Sequence, residues 1–170
     1  MTVGHIVLIG LMGSGKTTVG RKLASTIGRR FVDTDEEVER RTGRTVRDIF
    51  ESDGEPAFRL IEHRTLADTL ASTEPLVVAA AGGAVLRDDS RALLGEPHRI
   101  VWLKAEPETL IDRVGRRRDH RPLLDDDPDR RLRQLWTERD PIYRSLADTT
   151  IDVTGKSVDG VCAEIAEVLT

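Results

Sequence analysis

His5–Ile9 is a short, continuous apolar run, the pattern of a strand covered on both faces. Similar runs occupy Phe31–Val32, Leu76–Ala81 and Ile100–Leu103, and a weaker one spans Thr150–Val153. Between the runs the apolar spacing turns helical. Val19, Leu23 and Ile27 recur every four residues, and Leu110, Ile111 and Val114 follow Pro107, a residue suited to a first helical position. Val158, Val161, Cys162, Ile165, Val168 and Leu169 form one stripe behind Ser157, a candidate N-cap. Pro141 should interrupt the helix that begins near Pro128, yet Leu132, Leu135, Trp136, Ile142 and Tyr143 keep helical phase across it. Strands alternating with helices predict an α/β fold, a parallel sheet wrapped on both sides. In such sheets ligands collect at the carboxyl ends of the strands.

The chain of 170 residues fits one domain, expected to span 1–170. Only 4% of residues are aromatic, so the core must be built from Val, Ile, Leu and Ala. Thirty acidic against 26 basic residues, with the signs interspersed, disfavour a nucleic-acid partner. No apolar run approaches the roughly 18–20 residues of a membrane span. The apolar start lacks a basic leader and runs straight into a Gly/Lys motif, as a strand does rather than a signal peptide. A single cysteine, Cys162, excludes an internal disulfide and fits a small apolar residue of the last helix. The four histidines show no metal-ligand spacing. These bounds predict a cytoplasmic protein, expected as a monomer.

Gly10-Leu11-Met12-Gly13-Ser14-Gly15-Lys16-Thr17 fits G-x-x-x-x-G-K-[ST] at every fixed position, after a predicted strand and before a predicted helix. Such a loop turns successive N–H groups inward onto phosphate oxygens, and the helix adds its positive dipole end. Gly13, Ser14, Gly15, Lys16, Thr17 and Thr18 are therefore candidate ATP ligands. Lys16 would reach the β- and γ-phosphates, and the Thr17 hydroxyl would ligate Mg²⁺. The chain contains no asparagine, so the guanine-reading Asn-Lys-x-Asp motif cannot occur. Its size suits a small-molecule kinase.

Asp33-Thr34-Asp35 closes the second apolar run, and strand period two would point both carboxylates to the side of the phosphate loop. One would support the metal and the other orient an alcohol for in-line attack. The alternative is a helix N-cap pair, a role that suits Asp35 before Glu36 and Glu37. Arg139 falls on the apolar stripe, where a guanidinium needs an anion: an internal ion pair or a ligand. Arg59 lies early in a helix after Pro56, one turn from Glu62, as in an ordinary surface pair or as half of a carboxylate clamp. Gly82-Gly83 permits a turn or close backbone approach to a ligand. From Gly115 to Arg131 charge is dense around Arg121-Pro122-Leu123-Leu124, as in a solvated loop or a mobile lid that brings Arg121 to the transferring phosphate.

With these motifs in order, the sequence resembles the shikimate kinases among the P-loop small-molecule kinases. The resemblance runs from about Ile6 to Ile165. It rests on the phosphate loop, on Asp33-Thr34-Asp35, on Ile49-Phe50-Glu51-Ser52-Asp53-Gly54-Glu55 leading to Phe58-Arg59 and Glu62, on Gly82-Gly83, on Arg121-Pro122-Leu123-Leu124 and on Arg139-Asp140-Pro141-Ile142-Tyr143-Arg144. It implies a three-layer α/β/α fold with five parallel strands in the order 2-3-1-4-5. It also implies transfer of the γ-phosphoryl of ATP to the 3-hydroxyl of shikimate. Lys16, Asp35 and Arg121 would be catalytic, and Asp35 would also bind shikimate hydroxyls. Arg59 and Arg139 would clamp the carboxylate, with Gly82 and Gly83 contacting shikimate through backbone. Thr17 and Asp33 would support Mg²⁺, and Arg113 would stack on adenine. Residues 33–62 would form the substrate-binding segment and 115–127 the lid. The chain departs from the family in two places: Ala81 stands where the first of three glycines is usual, which puts a methyl at the acceptor pocket, and a one-residue length difference before the lid bears on the match of Arg113. The rivals are a kinase for another polyol acid such as gluconate and a regulatory module that binds nucleotide without turnover.

Overall fold

A computed structural model describes residues 4–116 and 127–169. Five strands, β1 (Ile6–Ile9), β2 (Arg30–Asp33), β3 (Leu76–Ala79), β4 (Arg99–Lys104) and β5 (Thr149–Asp152), form one sheet in the order β2-β3-β1-β4-β5. Every pairing is parallel, from Asp33 opposite Ala79 at one edge to Lys104 opposite Asp152 at the other. All residues of β1 and β3 are buried, as a strand requires when both faces are covered. The expected strand order and sheet type are those observed.

Helices flank the sheet: α1 (Lys16–Ile27), α2 (Thr34–Thr42), α3 (Val46–Asp53), α4 (Glu55–Leu70), α5 (Asp88–Leu93), α6 (Pro107–Gly115), α7 (Pro128–Leu146) and α8 (Val158–Leu169). α1 packs on β3 and on α8, α6 packs on α7, and α4 gathers α2, α3 and α5. Two of the expected stripes are narrower than the sequence implies. Ile27, Val158 and Val168 are exposed, because each lies in the first or last turn of its helix, beyond the reach of the sheet. Ser157 does receive the Gly160 N–H, as an N-cap should. α7 runs unbroken through Pro141, and Leu132, Leu135, Arg139 and Tyr143 are its buried residues. Among the described residues no helix is long and apolar enough to cross a membrane.

A second, smaller apolar cluster of Val38, Ile49 and Phe58, with Val46, Phe50 and Ile61 packed against it, sits apart from the main core. It gives the α2–α4 segment its own hydrophobic interior. A capping box at Thr45 and Asp48 starts α3, fixing the corner of that segment.

His5 and His98 stack at the amino end of the sheet, with ring centroids 4.9 Å apart. His5 Nδ1 accepts the Leu76 N–H, and its Nε2 meets the Leu70 carbonyl; His98 Nδ1 accepts the His5 N–H. These bonds require neutral rings. Burial, and then the neighbouring His5, hold His98 below its ordinary basicity. The unfolded chain therefore takes up this proton at a higher pH than the folded one, and the His98 contribution to stability falls as pH drops through about 6.5. We expect the thermal midpoint of His98→Asn, which keeps an acceptor without a titrating ring, to rise relative to that of the parent between about pH 7.5 and pH 5.5. Calorimetry on both proteins checks this, and equal slopes would dismiss His98 as the cause.

Candidate active site

The turn between β1 and α1 carries the phosphate-loop sequence. Gly15, the N-cap of α1, has φ 92°, a left-handed conformation that favours glycine. No side chain caps α1 and no acidic residue lies in its first turn, so its leading N–H groups stay available to an anion. Lys16 folds back over the loop, donating from Nζ to the carbonyls of Gly10 (2.6 Å) and Leu11 (3.0 Å). Ser14 Oγ is buried with no hydrogen-bond partner among the described residues.

Opposite the loop, β2 stops at Asp33. Strand alternation does not continue to Asp35, because the chain turns into α2 at Thr34. Asp33 is the N-cap, its Oδ1 accepting the N–H groups of Asp35 (2.9 Å) and Glu36 (3.3 Å). The capping expectation holds for Asp33, whereas Asp35 lies within the first turn. Asp33 Oδ2 accepts from Thr17 Oγ1 at 2.6 Å, so one carboxylate both starts a helix and meets the phosphate loop. Asp35, half-buried, lines the cleft. Burial, then the charges of Glu62 and Asp33, push its carboxyl up to about 7, against the pull of Lys16 and Arg59.

Arg59 departs from the surface-pair expectation. It is buried, and Nη1 donates to both carboxylate oxygens of Glu62 at 3.0 and 3.1 Å. Nε and Nη2 donate to Glu55 Oε1, and the guanidinium lies over the rings of Phe50 and Phe58. Burial raises the Glu62 carboxyl from its ordinary value, opposed by Arg59. A Cβ on Gly83 would overlap the Arg59 guanidinium, so any larger residue there would displace that guanidinium from its place beside Glu62. From α7, Arg139 reaches Gly82 and is 3% exposed. Its charge acts on the Glu62 carboxyl and on Tyr143, while its buried Nε has no hydrogen-bond partner among the described residues. Tyr143, one turn on, donates its hydroxyl to the Gly82 carbonyl at 2.6 Å. Burial pushes that phenol up to about 12, so it remains a donor.

These groups line one cleft of about 670 Å³. Gly13, Ser14, Gly15, Lys16, Thr17, Thr18, Asp33, Asp35, Arg59, Gly82, Gly83, Arg113 and Arg139 all border it, so every described site residue expected from sequence is brought together. Arg113 Nη1 donates to the Gly13 carbonyl at 3.2 Å, placing it beside the phosphate loop with Val153, Lys156, Val158 and Val161. Arg121 and most of the expected lid lie outside the described residues. The shikimate kinase family model matches residues 12–170.

This chain belongs to the shikimate kinase family.

Similarity within the family extends along the chain. It is 49% identical over 167 residues to a shikimate kinase of Symbiobacterium thermophilum, covering 97% of this chain and 95% of that protein. A solved shikimate kinase from Acinetobacter baumannii, in complex with shikimate, superposes with a TM-score of 0.93 at 38% identity, covering 99% of this chain and 93% of that one. A gluconokinase from Sinorhizobium meliloti is more distant, at a TM-score of 0.67 and 25% identity over 99% of this chain and 96% of that one.

Three cleft-side contributions had no role assigned from this kinase sequence. Thr34 is fully buried, and its Oγ1 accepts the Ala81 N–H. Tyr143 looked like one more residue of an apolar stripe, with no local signal for its bond to Gly82. Phe50 and Val46 line the cleft from the second cluster; the Thr45-x-x-Asp48 spacing that starts their helix was the available signal.

Proposed function

We propose that this protein transfers the γ-phosphoryl of ATP to the 3-hydroxyl of shikimate, giving shikimate 3-phosphate and ADP. One observation carries this reading. A phosphate loop and two buried guanidinium groups face each other across a single cleft, and one of them, Arg139, has a buried Nε with no hydrogen-bond partner among the described residues. A small carboxylated alcohol supplies an anion at one end and presents its hydroxyl to the triphosphate at the other. The family membership names that alcohol as shikimate.

Each residue then has a task. The first-turn N–H groups of α1 and the Lys16 ammonium hold the phosphate tail. Arg113 would lie against the base, and Arg121, in the lid segment 115–127 and outside the described residues, is assigned the task of neutralising charge on the transferring phosphoryl. Arg59 and Arg139 clamp the carboxylate, while Gly82 and Gly83 let the ring approach the backbone. Within the 33–62 segment, Phe50, Phe58 and Val46 give the ring an apolar wall. Asp35 accepts a hydrogen bond from the attacking hydroxyl. The hydroxyl oxygen bonds to the γ-phosphorus as the bridging P–O bond to the β-phosphate breaks, and the hydroxyl proton passes to the Asp35 carboxylate.

Thr17 Oγ1 and Asp33 Oδ2, 2.6 Å apart beside the loop, are the hard oxygen pair that suits Mg²⁺. They would hold Mg²⁺, which when bound would neutralise phosphate charge. Coupled ADP release, measured with shikimate and with gluconate side by side, tests the proposal. We expect fast, Mg²⁺-dependent release with shikimate and little with gluconate. Preference for gluconate would move the assignment to the polyol-acid rival, and nucleotide binding without turnover to the regulatory one.

A further inference from the structure

Along β3 the backbone N–H groups alternate between neighbouring strands. Ala80 N–H, just past the strand, still donates to Leu8 of β1 at 3.0 Å, so the next N–H, that of Ala81, turns toward the β2 side. No strand carbonyl waits there, because β2 has ended at Asp33, opposite Ala79, and the chain has entered α2. The Thr34 side chain fills the gap: its Oγ1 accepts the Ala81 N–H at 2.9 Å, with both residues buried. A hydroxyl thus adds the rung that a longer β2 would have supplied. Without it a buried N–H would be left unmet.

The rung joins two walls of the cleft. On one side Thr34 lies between Asp33, bonded to Thr17, and Asp35. On the other, Ala81 leads directly into Gly82 and Gly83, packed against Arg139 and Arg59. Thr is stiff at χ1, so this link transmits position better than a flexible side chain would.

We infer that Thr34 is a positioning residue that sets the distance between the Asp33/Asp35 carboxylates and the Ala81–Gly83 backbone, and thereby aligns the acceptor hydroxyl with the phosphate loop. The inference rests on the proposed shikimate kinase activity for its kinetic readout. Its structural readout does not need that activity.

Thr34→Val keeps the shape and removes the acceptor; Thr34→Ser keeps the acceptor. With folding verified by thermal melts, Thr34→Val should lower kcat for shikimate phosphorylation about 10- to 100-fold, the scale of a misplaced reacting pair, and leave the KM for ATP within about twofold. Thr34→Ser should restore most of the turnover. In the ligand-free proteins, amide hydrogen exchange at Ala81 should accelerate in Thr34→Val and stay near the parental rate in Thr34→Ser. Should Thr34→Val fail to fold, Thr34→Ala is compared with Thr34→Ser in the same way. Full turnover in the acceptor-free variant overturns the inference. So does a serine variant no better than it, a loss shared equally by the ATP KM, or unchanged exchange at Ala81. If the parent itself does not phosphorylate shikimate, the proposed function fails, and the exchange comparison alone decides the role of Thr34.

Discussion

Asp35→Asn lowers turnover about 10²- to 10⁴-fold, the range expected when a positioned proton acceptor is removed, and leaves the fold intact. Asn keeps the shape of the side chain but presents no charge to the attacking hydroxyl. The same change should stabilise the protein at alkaline pH. In the parent, burial and the nearby carboxylates raise the Asp35 carboxyl from 3.8 to about 7. The unfolded chain has lost that proton above about pH 4, whereas the folded chain holds it until about pH 7. Ionisation in the cleft therefore costs stability, up to a few kcal/mol at about pH 8, and the cost disappears as pH falls toward the unfolded value. The thermal midpoint of Asp35→Asn should exceed that of the parent at about pH 8, and the gap should narrow through about pH 5 and close only at about pH 4 and below. Kinetically, kcat/KM for shikimate in the parent should climb with pH through about 7 as the carboxylate forms, and the variant should lack that limb. Stopped assays across pH, paired with melts, check both halves. A variant with parental turnover removes Asp35 from the machinery.

Arg59→Ala should raise the KM for shikimate about 10- to 100-fold, the loss of one or two charge-assisted hydrogen bonds, with the KM for ATP unchanged. Here binding and stability must be separated, because Arg59 also meets the nearly buried Glu62. Stranding that carboxylate costs about 3–5 kcal/mol, so the single variant melts earlier. Adding Glu62→Gln removes the stranded charge. The double variant should regain most of the lost thermal stability while its KM for shikimate stays high. If the KM recovers together with the melting point, the effect of Arg59 is on folding and the clamp is wrong. An equal rise in the KM for ATP tells against it as well.

The parts of this fold visible in the sequence are those whose cause is local or strongly periodic. β1 is a continuous apolar run followed by a glycine loop, and both features survive any tertiary context. α7 was legible through Pro141 because Leu132, Leu135 and Tyr143 bury on one face, and that packing outweighs one missing N–H. At Asp33 two local preferences competed. The apolar run favoured strand through Asp35, but a side-chain oxygen accepting two N–H groups ended it two residues earlier, at Asp33. Both aspartates still reached the cleft, because the strand end and the first turn of α2 open on the same space. The burial of Arg59 was illegible, since it depends on α4 packing beneath Gly83 and on the rings of Phe50 and Phe58. The bond from Tyr143 to Gly82 spans 61 residues, and no spacing rule connects them.

The phosphate loop and the paired arginines open into one space with no wall between them. A tethered inhibitor carrying an adenosine polyphosphate at one end and a carboxylated ring at the other would surrender its translational freedom only once. Its second half would then dock at an effective concentration on the order of millimolar, set by the linker. The linker must be short, because the geometry that brings donor and acceptor atoms within bonding reach leaves room for little more than the phosphates themselves.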